Sequence, residues 1–141
     1  MITTEADGAE CVYAADLDGD GDLDVLSASY YDDKIAWYAN DGTGHFGSQQ
    51  VITTVALEAN CVYAADLDGD GDLDVLSASW ADNKIAWYSN DGLGHFGPQQ
   101  IISTAAVGAN SVCAADLDGD GDLDVLSASA GDDKIAWYEN E

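Results

Sequence analysis

The segment Asp16-Leu17-Asp18-Gly19-Asp20-Gly21-Asp22-Leu23-Asp24 sets five carboxylates within nine residues, and the same letters return at Asp66 to Asp74 and at Asp116 to Asp124. Like charges at that density repel strongly in any compact fold unless something positive lies among them. The only cationic side chains are Lys34, Lys84 and Lys134, each ten residues past an acidic segment, and arginine is absent. A bound metal ion is therefore the natural counter-charge. Hard oxygen ligands on alternate residues, with glycines that let the backbone wrap the ion, suit calcium better than a metal that favours thiolate or imidazole. Magnesium fits less well, because its rigid octahedron keeps several waters.

The remaining composition narrows the class of protein. A hydrophobic content of 47% argues against disorder despite a formal net charge of −25. Fifteen of the 28 acidic residues lie in the three loops, so one calcium ion per repeat, three per chain, would neutralise the chain where its charge is densest. A chain so acidic has no patch able to displace counterions from a phosphate backbone, and an anionic membrane would repel it. Neither nucleic acid nor membrane is an expected partner. No apolar run approaches the length of a membrane span, and Met1-Ile2-Thr3-Thr4-Glu5 lacks the basic and apolar regions of a signal peptide.

Positioning three such loops requires a repeated scaffold. The acidic segments recur at a spacing of 50 residues; Ala14–Ser29 returns unchanged as Ala64–Ser79 and Ala114–Ser129, as does Lys-Ile-Ala-Trp-Tyr at 34, 84 and 134. Such identity points to recent duplication or to design. Within one repeat, Cys11–Ala15 reads as a first strand entering the loop and Val25–Ser29 as a second leaving it. Lys34–Tyr38 forms a third after a turn at Tyr30–Asp33, and Phe46–Thr54 carries a fourth after the glycine-rich turn Asn40–Gly44. No segment shows sustained helical periodicity.

Neither face of these strands is charged, so each sheet must lie between neighbours, and radial stacking of four-stranded blades meets that requirement. The expectation is an all-β chain, a β-propeller fragment over residues 1–141 with antiparallel blades at about 5–54, 55–104 and 105–141. Propellers typically close with four to eight blades. The third repeat stops before its fourth strand, whereas Ile2-Thr3-Thr4 matches Ile52-Thr53-Thr54 and reads as a partial fourth strand. Two chains could thus complete a six-bladed ring as a homodimer; a piece of a longer ring is the other explanation.

These residues resemble the FG-GAP and VCBS repeats, the calcium-loop blades of integrin α-subunit heads and of many secreted proteins. The resemblance spans the chain and rests on Asp-x-Asp-Gly-Asp-Gly-x-x-Asp, present three times, with Phe46-Gly47 and Phe96-Gly97. It departs at Ser27-Ala28-Ser29, where the family name implies Gly-Ala-Pro. The family pattern implies side-chain ligands at Asp16, Asp18, Asp20 and Asp24 and a carbonyl ligand at Asp22. The same roles pass to Asp66, Asp68, Asp70, Asp72 and Asp74, and to Asp116, Asp118, Asp120, Asp122 and Asp124. It also implies an extracellular location. The loop is not an EF-hand, since Ser27 stands where that motif places a bidentate glutamate, and affinity on the order of 10⁻⁴ to 10⁻⁶ M is expected.

Other residues carry blander readings. Trp37, Trp87 and Trp137 share one strand position and read as packing between blades. Cys11, Cys61 and Cys113 are odd in number and out of register, so small buried thiols are favoured over a disulfide framework. His45 and His95 lack partners for a zinc site. The loops at Tyr30–Asp33, Trp80–Asn83 and Ala130–Asp133 differ between copies and could meet a protein or a glycan. The leading functional reading is a calcium-binding structural or protein-interaction scaffold, with a carbohydrate-binding lectin as the alternative. No catalytic residues are assigned, because the paired acids are already required by the metal and no His or Ser is placed to act with them.

Overall fold

A computed structural model describes all 141 residues and contains strands but no helix. Eleven strands form three antiparallel sheets. Blade 1 holds β1 (Ala9–Ala15), β2 (Asp24–Ser29), β3 (Lys34–Tyr38) and β4 (Gln50–Thr53). Blade 2 repeats them as β5 (Ala59–Ala65), β6 (Asp74–Ser79), β7 (Lys84–Tyr88) and β8 (Gln100–Ser103). Blade 3 has β9 (Ala109–Ala115), β10 (Asp124–Ser129) and β11 (Lys134–Tyr138), leaving β11 as an unpaired edge. Each blade is a meander whose strands pair in chain order.

The first strand is longer than expected and the fourth shorter. Phe46 makes only an isolated bridge to Asn40, and the chain rejoins the sheet at Gln50, opposite Trp37. The Asp41 carboxylate accepts from the N–H groups of Thr43 and His45, which ties the hairpin into a local turn before the strand can begin. Residues 1–4, expected as a partial fourth strand, form no strand within the single chain.

Packing runs from blade to blade. One face of blade 1, with Leu26, Ala28 and Ile35 fully buried, meets Ala56, Ala59, Val62 and Val75 of blade 2. The same face of blade 2, with Leu76, Ala78 and Ile85, meets Ala106, Ala109, Val112 and Val125 of blade 3. Alanines on the receiving face let the sheets approach closely, while the β-branched and leucine side chains fill the gap. Innermost strands β1, β5 and β9 lie side by side, which places the acidic loops at one rim.

The backbone between blades is tied as well. Asp33 and Asn83 adopt left-handed conformations, φ 56° and 58°, which Asp and Asn tolerate better than most residues. Their carbonyls accept from Ala56 N and Ala106 N, and their side-chain oxygens accept from Glu58 N at 2.7 Å and Gly108 N at 2.9 Å.

Candidate metal centres

Each acidic loop joins the first strand of a blade to its second, and its shape is written into its own side chains. Asp16 Oδ1 accepts from Gly19 N at 2.8 Å and Oδ2 from Gly21 N at 3.0 Å. Asp18 and Asp20 accept in turn from the N–H groups two residues on. Gly19 and Gly21 take positive φ, 75° and 94°, so the backbone curls around the carboxylates without Cβ strain. Middle-loop contacts match at 2.8 Å and 3.0 Å.

The last aspartate of each loop is a fastening. Asp24 is fully buried; its Oδ2 accepts from Leu17 N and its Oδ1 from Asn40 N, both at 2.9 Å, which ties the loop entrance to the end of β3. Asp74 does the same with Leu67 and Asn90, and Asp124 with Leu117 and Asn140. A buried carboxylate satisfied by two backbone donors is a rigid anchor for anything its neighbours hold.

Carboxylate oxygens converge three times. Those of Asp16, Asp18 and Asp24 lie within 4.8 Å of one another, as do those of Asp66, Asp68 and Asp70, and those of Asp116, Asp118 and Asp124. Asp20, Asp74 and Asp120 are not members of the groups in their own loops. Asp22, Asp72 and Asp122 belong to none of them. The Asp22 and Asp72 carboxyls pack against Gly42 and Gly92 of the following hairpins. The lysines do not serve the loops: Lys34 and Lys84 pair with Asp32 and Asp82 at 2.7 Å, and Lys134 with Asp132 at 2.5 Å.

The electrostatics expose an uncompensated charge. Desolvation raises the Asp18 carboxyl above its usual range, and Asp24 and Asp20 push it further. Burial pushes Asp74 up to about 6, against the N–H groups of Asn90 and Leu67, with Asp68 and Asp70 adding to the rise. Asp124 moves the other way, held down by the Asn140 N–H. Oxygen-only donors, close convergence and carboxyls pushed toward protonation fit a hard divalent cation.

Sequence reasoning missed the asparagines. Asn90 Nδ2 donates to Leu17 O of the preceding blade at 2.8 Å and to Leu73 O of its own loop at 3.0 Å. Asn140 repeats this with Leu67 at 2.7 Å and Leu123 at 3.3 Å. The acidic loops of blades 1 and 2 are thereby braced by the next blade, a role that the recurrence of Asn40, Asn90 and Asn140 could have signalled. Tryptophan was misjudged in part. Trp37 is 3% exposed beneath Gly94 and Phe96 of the next hairpin, but Trp137 is 50% exposed because no hairpin follows it. Cys113 is likewise exposed, not buried, and Cys11 and Cys61 are half-buried.

Stacked antiparallel blades with an acidic loop at one corner define a propeller-type repeat protein. The model of the FG-GAP-like repeat matches residues 16–77 and 66–127, and the chain belongs to that family. Among solved structures, it is similar to a lectin of Agrocybe aegerita described for specific recognition of non-reducing terminal N-acetylglucosamine, at 23% identity and a TM-score of 0.61. That likeness covers 82% of this chain and 31% of the lectin. It is also similar to the Vibrio cholerae biofilm matrix protein Bap1, at 22% identity and a TM-score of 0.53, over 99% of this chain and 26% of that one. At such identities the likeness shows the fold, and the chain spans less than a third of either structure's length. No curated protein matches it.

Proposed function

We propose that this chain is a calcium-binding β-propeller module that serves as a structural and protein-interaction scaffold outside the cell and performs no catalysis. The observation that carries this reading is the threefold convergence of carboxylates, in loops that each end on a buried, doubly hydrogen-bonded aspartate. Asp16, Asp18, Asp20 and Asp24 and their counterparts would hold the cation, with the Asp22-type carbonyl completing the cage. Bound calcium supplies positive charge where the loops repel. The residues do the rest: Asp24 fixes the loop to β3, and Asn90 carries that constraint to the neighbouring blade. Because the ion binds the folded loops, its binding free energy adds to folding stability. The family and the biofilm matrix neighbour support the extracellular assignment.

The proposed partner is a second copy, in a six-bladed ring. Ile52 packs into the core that includes Val75 and Tyr88, and Ile102 lies with Val125 and Tyr138. Ile2 lies with Val25 and Tyr38, so the N-terminal segment sits where the fourth strand of a preceding blade would lie. Lys34 Nζ donates to Glu5 O at 3.0 Å, as Lys134 Nζ does to Ala105 O at 2.9 Å, one hundred residues on. At the other flank, Asp133 already holds the left-handed conformation, φ 54°, of the two internal junctions. In the ring it would receive Ala6 N and Gly8 N of the second copy, and Leu117 O would receive that copy's Asn40.

Sedimentation of the 141-residue chain with calcium and with chelator tests both parts. Twice the 14.7 kDa chain mass in calcium, with a melting temperature that falls on chelation, is the expected result. A melting temperature unmoved by excess chelator overturns the calcium scaffold, and a monomer at every concentration overturns the ring. The second reading, a lectin, is favoured by Tyr31, 75% exposed on the variable loop, and by the glycan-recognising structural neighbour. Glycan-array silence, with no effect of Tyr31→Ala or Trp80→Ala on any ligand, would retire it.

A further inference from the structure

We propose that Cys11 and Cys61 form a disulfide that staples blade 1 to blade 2. Their sulfurs lie 3.9 Å apart, although 50 residues separate them in the chain. Both occupy the same register of the innermost strands, opposite Ala28 and Ala78, whose small side chains leave the sulfurs room. Cys11 is seated on the neighbouring strand: Val62 N donates to its sulfur at 3.5 Å, and Val62 O lies 3.7 Å away. Cys61 turns the same way toward Val112 O at 3.8 Å, but the next position in that row is Ser111. The thiol row therefore holds two members. Cys113 sits two residues on, at the register where the tilted rings of Tyr13 and Tyr63 meet in the other blades.

Closing the contact to the bonding distance of about 2.05 Å needs a side-chain rotation of the kind that adjacent strands allow. The oxidant is a low-molecular-weight disulfide, RSSR. The Cys61 thiolate attacks one of its sulfurs, breaking the S–S bond and releasing RS⁻. Cys11, once deprotonated, attacks the Cys61 sulfur of the mixed disulfide and releases the second RS⁻. Two thiols lose two electrons, RSSR gains them, and both protons end on two RSH. Cys11 directs its thiol hydrogen toward Cys61, which lowers the Cys61 thiol and raises that of Cys11, so Cys61 is the first attacker. Neither residue is fully buried, so a small disulfide can reach the pair. The bond would hold two innermost strands together when calcium leaves the loops.

The test treats the folded 141-residue chain with oxidised glutathione, blocks residual thiols in denaturant and cleaves after lysine, which separates the three cysteines into peptides 1–34, 35–84 and 85–134. The expected result is a 1–34/35–84 cross-link lacking two hydrogens, with Cys113 glutathionylated or blocked. In chelator, the melting temperature of the Cys113→Ser variant should rise by about 5 °C or more on oxidation. Cys11→Ser should lose both effects while Cys61 takes glutathione. Separate glutathione adducts on Cys11 and Cys61 in Cys113→Ser, without a cross-link, would overturn the proposal, as would no reaction at either residue.

Discussion

Blades 2 and 3 share the same loop, the same second strand and the same third strand, yet they have different interiors. Ile85 is fully buried and Ile135 is 77% exposed; Leu67 is 8% exposed and Leu117 48%. The letters are identical, so the difference lies in the neighbour. Blade 2 is clasped on both faces, whereas blade 3 offers its Ile135 and Trp137 face and an unpaired β11 edge to solvent. A propeller blade is a half-built core, and the adjoining sheet decides whether its apolar side chains contribute.

Calcium removal should have the largest effect on this comparison. If the loops hold calcium as proposed, each saturated site would contribute about 2.7 kcal/mol at a hundredfold excess over its dissociation constant, so chelation should lower the melting temperature by about 10 °C or more. Hydrogen exchange should show the blade 3 loop losing protection first, because no following blade within the chain supplies an Asn to its Leu117 carbonyl, as Asn90 and Asn140 do for Leu17 and Leu67.

Next in size is the isoleucine pair. Ile85→Ala should cost about 2–5 kcal/mol in denaturant unfolding. If the ring closes, Ile135→Ala should cost nearly as much and weaken the dimer. In a solitary chain it would cost under about 1 kcal/mol. Equal values therefore favour closure, and a large gap counts against it.

A smaller effect is expected at the braces. Asn90→Ala removes a buried hydrogen bond across the junction of blades 1 and 2 and a part-buried one within blade 2, for about 1–3 kcal/mol. Asn40→Ala removes, within one chain, the Nδ2 bond to Leu23 O and the Oδ1 bond from Gly44 N, so any excess loss of dimer over loss of stability measures a bond to the partner's Leu117 loop.

The smallest effect concerns the hairpin. The Thr43 hydroxyl and N–H hold the Asp41 carboxyl down to about 2, below its ordinary 3.8. A depressed folded-state value means that Asp41 supports the fold above about pH 4 and loses that support as the pH falls toward 2. Thr43→Ala should flatten the acid limb of hairpin exchange without altering the neutral-pH melting temperature by more than about 2 °C.

Much of this molecule was legible in its letters. The 50-residue period, the meander order and Lys34–Tyr38 as a strand follow from alternation and from turn residues whose conformational needs are local. The convergence of Asp16 and Asp18 follows from Asx contacts spanning two to five residues. The fourth strand was drawn too long because Phe46 bridges back to Asn40, a choice made by the hairpin and not by strand propensity.

The sequence by itself determined a repeated antiparallel blade and an oxygen-rich loop, since both depend on neighbours along the chain. Tertiary structure alone decided which copies are enclosed, that Asn90 reaches Leu17 across a junction, and that Cys11 meets Cys61. Those facts arise between residues 50 or more positions apart, where packing of one sheet on the next sets the distance and no local pattern records it.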